Sequence, residues 1–599
     1  LPAIIRLGYD HLIATRVFEE AVMGIRTVLS AAAVILLTLP CRAAHCQPPA
    51  DLVLLGGKIV TLDPQSPVVE ALAASEGRIV AVGSDAEVQP RIGDSTRVIQ
   101  LHGKLALPGF IDSHGHFVSL GRSKRILDLT RARDYDDIVR LVKATAAKTP
   151  AGRWIEGRGW HQDKWGQPPE PCVEGYPTHD QLSRATPAHP VLLTHASGHM
   201  CLANAKAMEL AGVDERTKDP PGGEVLRDSS GKPTGVFREA AGGPVHAAKQ
   251  RAQAHRTAGQ VLEELDDAVR LAGEECLAHG VTSFQDAGSS LATIDRLREL
   301  ARSGRLNVRL WVMIGEPNSA LAARLPQYRI IGDGDCHLTV RGIKRFMDGA
   351  LGTHGAWFLE PYEDLPDSIG VNTTPPEAIR KTAQLAIEHD FQLCVHAIGD
   401  RANRLTLDVF EDVFRANPAK TGLRWRIEHA QHLHPSDVPR FAKLGVIASM
   451  QGVHCTSDAA FALKRLGPER AREGAYVWRK LLDADAVVSN GTDAPVERVD
   501  PIACFYASVT RKPAGAEAFF PEQRMTRQEA LRSYTIDAAY AAFEEHIKGS
   551  LTPGKLADIV VLSHDILTVP EEEILKARVL YTIVGGKVLY ERRTEVGGD

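Results

Sequence analysis

The sequence predicts an α/β protein centred on a (β/α)8 TIM barrel, with a small β-sandwich formed from both ends of the chain and a long insertion after the first barrel strand. Three observations point there. Eight β-rich runs recur through the middle of the chain, most of them separated by roughly 20 to 60 residues that include helical patterns. Short, glycine-punctuated β runs flank this region on both sides. One interval, between the first and second central runs, is far longer than the rest at about 170 residues, the mark of an insertion.

With 599 residues, 44% hydrophobic and 24% charged, the chain has globular composition and enough length for a large core. Disorder, collagen and a disulfide-stapled miniprotein are excluded. Lys plus Arg is 70 against 75 for Asp plus Glu, a net charge of -5, so no strong field exists to gather nucleic acid along a basic face. The 9 cysteines show no CxxC spacing, which argues against a thiolate zinc site or a disulfide framework. The 23 histidines are the more informative count.

Residues 1–46 read as an N-terminal extension with a secretory signal. The apolar run from Val28 to Leu39 is too short to span about 30 Å of hydrocarbon, so no stable membrane span is expected. Met23 and Arg26 precede it, and Pro40, Ala43 and Ala44 follow, the order of a signal with Met23 as initiator. A periplasmic or secreted protein is the expectation; a buried or amphipathic helix continuing from Leu1 is the alternative.

Residues 47–103 form the first part of the sandwich, with runs at Leu52 to Pro64 and Gly77 to Gly83. The barrel occupies 104–548. Its strands are expected at Lys104 to Ile111, Val281 to Asp286, Val308 to Ile314, Leu338 to Phe346, Phe391 to His396, Trp425 to His429, Val446 to Met450 and Val487 to Asn490. Helical patterns such as Glu377 to His389 lie between them. The insertion, about 117–270, has strand-like runs at Arg153 to Gly159 and Pro190 to His199 and is expected over the barrel mouth. Residues 549–599 complete the sandwich with Leu556 to Ser563 and Val579 to Glu591. No fixed-period repeat supports a solenoid or propeller. A doubly wound open sheet is the rival fold, but no GxGxxG or GxxxxGK[ST] turn follows an early strand.

Ionisable residues cluster at the C-terminal ends of several strands, where a barrel gathers its reactive groups. His114 and His116 in LPGFIDSHGHF are two apart, so an extended backbone points both to one side. In FQLCVHAIGD, Gln392, Cys394 and His396 share one face; in RWRIEHAQ, Trp425, Ile427 and His429 alternate in the same way and bring a second imidazole to that level. Asp493 follows Gly491 in VVSNGTDAPVE and either faces the mouth or caps the next segment. In TVRGIKRFMDG, Val340, Gly342 and Lys344 fall on one face and carry an ammonium into the barrel, which is costly unless it is paired or deprotonated. A neutral amine there can take up carbon dioxide as a carbamate; an ion pair with Asp348 or Asp493 is the alternative.

As a set, HxH, Lys, His, His and Asp on strands one, four, five, six and eight resemble the amidohydrolase superfamily with a two-metal centre. The resemblance extends over roughly residues 50 to 590 and includes LTPGKLADIVVL, Leu551 to Leu562. The segments KRFMDGALGTHGAW, HAIGDRAN, RIEHAQ, GTDAPVERVDP and SGHMCLANAKAM are similar to the amidohydrolase-3 branch, which contains N-substituted formamide deformylases and exoenzyme-regulator-like proteins. The secretion signal departs from that branch, whose familiar members are often intracellular.

The resemblance implies that His114, His116 and Asp493 hold one divalent metal, that His396 and His429 hold another, and that carbamylated Lys344 bridges them. Zn²⁺ is the default for histidine and oxygen ligands, with Mn²⁺, Fe²⁺ and Co²⁺ also suited. It implies Asp493 as the catalytic proton carrier, and His199, Asn204 and Arg470 as substrate-binding residues. His354 and His454 lie near the mouth and read as packing or surface residues. The expected activity is hydrolysis of non-peptide C–N bonds in small amides, N-substituted formamides or cyclic imides by a metal-activated hydroxide. An esterase, lactonase or phosphotriesterase could use the same centre. A deaminase does not need the lysine, and a non-catalytic ligand-binding protein would not need an open site for water. A homo-oligomer is compatible with the sequence, which does not set the oligomeric state.

Overall fold

The computed structural model describes residues 48–254 and 256–593. The secretory signal and the Met23 start expected from the sequence lie outside the described residues.

Eight parallel strands pair in chain order around the barrel: β1 (Phe110–Gly115), β2 (Val281–Ser289), β3 (Arg309–Ile314), β4 (Leu338–Phe346), β5 (Gln392–Ala397), β6 (Arg426–His429), β7 (Ile447–Gln451) and β8 (Val488–Gly491). The last meets the first through the residues that follow it. Thr492 N donates to Asp112 Oδ1 at 2.9 Å, Asp493 N to His114 O at 2.7 Å, and His116 N to Ala494 O at 2.7 Å. Closure removes the free edges of an open sheet.

Strands buried on both faces read as nearly continuous apolar runs, and β5 is buried along its whole length. Leu393 and Val395 join the cluster under the surrounding helices, while Cys394 packs inside with Trp311 and Met313. Between strands the chain uses ordinary helix punctuation. The helix Ala258–Ala278 begins with a Thr257/Gln260 capping box. It lies against the helix Phe117–Ser123, where a Cβ on Gly121 would fall 1.7 Å from Ala268 O.

Three local expectations differ from the structure. First, the barrel begins at Phe110. Leu105–Pro108 instead pairs with Lys58–Val60 and Ile559–Leu562, inside a sandwich sheet. Gly109 is the point of transfer, and a Cβ there would stand 2.3 Å from Thr282. Second, Val340 does not share a face with Gly342 and Lys344. Val312 pairs with Val340 but Met313 with Gly342, so Arg341 is an extra residue that shifts the phase of β4. Val340 thereby joins the outer core, and Gly342 faces the interior against Trp311 and Met313. Third, Trp425 and Ile427 point outward: the Trp425 ring lies 5.0 Å from each of Phe410 and Phe414 on the helix Asp400–Ala416.

The two ends of the chain meet in two sheets. One runs Arg78–Gly83, Ala71–Ser75, Leu52–Leu55, Arg97–Gln100; the other runs Lys587–Glu591, Val579–Val584, Ile559–Leu562, Leu105–Pro108, Lys58–Val60, Val68–Val69. Leu54, Leu72 and Ile99 from the first interlock with Ile59, Ala106 and Val561 from the second. A buried ion pair from Arg309 on β3 to Asp558, 2.8 Å from Nε to Oδ2, ties this body to the barrel.

The stretch after β1 builds its own six-stranded sheet in the order Gly223–Arg227, Pro233–Glu239, Met200–Ala203, Val191–His195, Ile155–Trp160, Leu127–Asp128. Leu129, Tyr135, Ile138 and Trp160 form its core against the helix Tyr135–Ala146. Ala196 and Ser197, in its turn after His195, line a cavity together with His396, His429 and Asp493 of the barrel. Among the described residues, no helix is long and apolar enough to cross a membrane.

Candidate metal centre

His396 at the end of β5, His429 at the end of β6 and Asp493 after β8 line one cavity, and His114 at the end of β1 lies against them. His114 is fully buried, and its Nδ1 is hydrogen-bonded to Glu428 of β6. Glu428 is held in turn by Arg426 through Nε at 2.7 Å and Nη2 at 2.9 Å, and Arg426 also donates to Ser113 O and Ser449 Oγ. A histidine whose Nδ1 is fixed by a carboxylate presents Nε2 in a defined direction. His114 Nε2 lies 3.7 Å, and His116 Nε2 3.2 Å, from Asp493 Oδ1.

Asp493 reaches this position because its backbone is left-handed, with φ of 57°. His429 likewise turns into the mouth through a φ of 76°, followed by 42° at Ala430. This reversal explains how it reaches the cavity although Trp425 and Ile427 before it face outward. Gln451 Oε1 lies 2.8 Å from His429 Nδ1 and orients the ring. His396 points inward by simple alternation, its ring centroid 4.5 Å from that of His429, which is 4.6 Å from that of His114.

Lys344 is 2% exposed, and its Nζ has no hydrogen-bond partner. The ion pair to Asp348 is absent because Asp348 accepts instead from the backbone amides of Trp357, Ile398 and Gly399, at 2.8, 3.0 and 2.8 Å. Burial lowers the Lys344 pKa and pushes that of Asp348 up to about 7. Burial, reinforced by the Lys344 ammonium and neighbouring imidazoles, also holds His114, His396 and His429 well below the usual histidine range, which keeps the rings neutral.

Among the described residues, two groups have ligand atoms within 4.8 Å of one another: His114, His116 and Asp493; and His429, His454 and Asp493. Buried polar atoms here that lack any hydrogen bond include His114 Nε2, His454 Nε2, Asp493 Oδ1, Lys344 Nζ and Gln431 Oε1. Orphaned buried groups of this kind cost about 1–3 kcal/mol each, and their convergence fits a site built for a cation.

Of the expected ligands, the structure groups His114 and His116 with Asp493, and His429 with Asp493; His396 and Lys344 belong to neither group, and His396, packed against the His429 ring, turns its Nε2 to Asp348 Oδ1 at 3.5 Å. It adds His454, whose sequence position reads as packing or surface, and Glu428. The available signal for Glu428 was an Arg-x-Glu pair inside an otherwise buried strand.

Of the expected substrate contacts, His199 alone lines the cavity, beside His161, Ser197, His396 and Phe461. Its Nδ1 lies 3.1 and 2.9 Å from the two oxygens of Glu239. Burial would lower the His199 pKa, but Glu239 outweighs it and raises it. Asn204 is a structural residue: it caps the helix Ala205–Ala211 by accepting from Ala207 N at 3.0 Å, and the rest of its amide serves Val191 N, Thr186 and His189 O. Arg470 lies outside the cavity lining, donating to Pro361 O at 2.6 Å over the Phe358 ring. His354 packs against Asp364, 3.2 Å away.

A profile of the amidohydrolase family matches residues 97–590. Over 554 residues the chain is 35% identical to Protein Long After Far-Red 3 of Arabidopsis thaliana, covering 90% of this chain and 92% of that one. It is 28% identical over 549 residues to N-substituted formamide deformylase of Arthrobacter pascens, covering 90% and 98%. The crystal structure of an uncharacterized metal-dependent hydrolase from Pyrococcus horikoshii superposes with a TM-score of 0.67 at 27% identity, covering 87% of this chain and 99% of that one.

Proposed function

We propose that this chain, which belongs to the amidohydrolase family and is a metal-dependent hydrolase, cleaves the non-peptide C–N bond of small amides, N-substituted formamides or cyclic imides. The observation that carries this reading is the gathering of orphaned buried imidazole nitrogens, from His114 and His454, around the Asp493 carboxylate at the C-terminal rim of the barrel. His114, His116 and Asp493 would hold one divalent ion, and His396 and His429, with His454 at hand, a second. Carbamylated Lys344 would join the two, since its buried Nζ has no other partner. The nitrogen and oxygen donor set suits Zn²⁺ first. Such ions supply a water acidified from a pKa of 15.7 to about 7 and a polarised carbonyl.

The protein's own groups do the rest. Glu428 and Gln451 fix the rings of His114 and His429 so that Nε2 faces the cavity. Asp493 takes a proton from the attacking water and returns it to the departing nitrogen. His199, held by Glu239, contacts the oxygen of the scissile group.

The Arthrobacter pascens relative's name favours the C–N bond over C–O or P–O. A screen of formamides, imides, aryl esters, lactones and phosphotriesters with the metal-loaded protein tests it. Turnover of formamides or imides supports the proposal. Turnover confined to the other classes makes the protein an esterase, lactonase or phosphotriesterase, and binding without turnover makes it a receptor. Intact-mass analysis showing one added carboxyl group on Lys344 supports the carbamate; an unmodified amine removes it. Export to the periplasm or beyond is part of the same reading, checked by N-terminal sequencing of secreted material.

A further inference from the structure

We propose that Arg158 anchors an anionic group of the substrate, a carboxylate in its simplest form, in the cleft beside His116. The hydrolase would then prefer amides that carry a negative charge on one arm. This deepens the reading above and rests on its placement of the reacting centre.

Arg158 stands near the end of the insertion strand Ile155–Trp160. There the pairing with Val191–His195 slips between Arg158 and Trp160, and Gly159 takes a φ of 105°. The kink turns the guanidinium toward the loop after β8. Its Nε donates to Pro495 O at 3.3 Å and its Nη2 to Ala196 O at 3.0 Å. Both acceptors are uncharged carbonyls. Among the described residues Arg158 has no carboxylate partner, and Nη1 makes no hydrogen bond. The acid in the same cleft, Glu239, is engaged by His199 at 2.9 Å.

The cation is thus held in place by two bonds with donor capacity left over. His116, Ser119, Thr373 and Thr374 share its cleft. That cleft adjoins the metal cavity: Ser197, His199 and Val496 line both. A sheltered, unpaired charge is costly, and the guanidinium fork matches a carboxylate in shape and charge. A substrate whose scissile bond lies at Asp493 and whose acid reaches past His116 would satisfy it. The serine and threonine hydroxyls are suited to the remaining acceptor positions.

Matched substrates test this on the metal-loaded full-length enzyme: N-formylphenylalanine against N-formylphenethylamine, which lacks only the carboxylate. The expected result is about 10-fold or greater preference in kcat/KM for the acid. Arg158→Gln should erase it by raising KM for the acid about 10- to 100-fold with the neutral compound unchanged, and Arg158→Lys should fall between. Equal losses on both substrates, or no preference in the wild type, overturn the proposal.

A second measurement does not depend on turnover: calorimetric binding of 3-phenylpropionate and 3-phenylpropionamide to both metal-loaded proteins, with circular dichroism to verify that Arg158→Gln is folded. Carboxylate binding weakened only in Arg158→Gln supports the anchor even if no amide is hydrolysed, in which case the hydrolase reading fails alone. Equal binding by the two proteins, or none by either, overturns it.

Discussion

Asp493 and His114 are joined at two levels: the Asp493 amide donates to the His114 carbonyl at 2.7 Å, and the Asp493 carboxylate lies 3.7 Å from His114 Nε2. The first contact closes the barrel, and the second places an acid beside the paired histidines of β1. The seam and the candidate centre are one construction. Asp493→Asn keeps the shape and the backbone bond, so the fold and much of the metal should survive while kcat falls about 10²- to 10⁴-fold. Metal analysis and steady-state kinetics check this, and an unchanged kcat would remove Asp493 as the proton carrier.

Gly491 is where the seam tolerates no side chain. A Cβ there would stand 2.4 Å from His114 N and 2.7 Å from Asp112 Oδ1. Gly491→Ala should part β8 from β1, lower the unfolding temperature and cost most of the activity. Wild-type stability and turnover in that variant would contradict this account of the seam.

Glu428 should act on metal affinity. With His114 no longer oriented by a carboxylate, Glu428→Gln is expected to weaken metal binding about 10- to 100-fold. Competition with a chromophoric chelator measures it. Retained affinity would reduce Glu428 to a partner of Arg426.

Chelation should abolish hydrolysis, and added Zn²⁺ should restore it. Because a cation that binds only the folded state stabilises it by mass action, the apparent unfolding temperature should fall on chelation and rise again with metal. A midpoint indifferent to chelator would argue against a resident ion.

The Arg309–Asp558 pair predicts a pH dependence of stability. Burial alone would raise the Asp558 pKa, but Arg309 and the Gly585 amide outweigh it and lower it. Stability from a depressed carboxylate is complete above the unfolded value of about 3.9 and is lost as pH falls through the folded value. Asp558→Asn should therefore cost about 3–5 kcal/mol near neutrality by leaving Arg309 buried and unpaired. The gap to wild type should shrink below about pH 4. Unfolding midpoints across that range, at one scan rate, check the trend; a constant gap would contradict it.

The barrel was legible because buried parallel strands leave a repeating apolar signature, and His396 was legible because alternation along β5 is regular. His429 was recognised from the wrong regularity. Its strand-mates face outward, and it reaches the cavity through a left-handed residue that no side-chain pattern announces. Val340 leaves the face that simple alternation gives it for a related reason, since the extra residue at Arg341 resets the phase of β4. Asn204, expected at the substrate, belongs instead to a helix start, where its side chain accepts from Ala207 N.

By itself the amino-acid order determined which strands exist and which ionisable residues end them, because those follow from local periodicity. Tertiary structure alone decided that Glu428 grips His114, that His454 faces Asp493, and that Arg158 comes to rest beside His116. These partners lie tens to hundreds of residues apart, and only barrel closure and the docking of the insertion bring their side chains within reach.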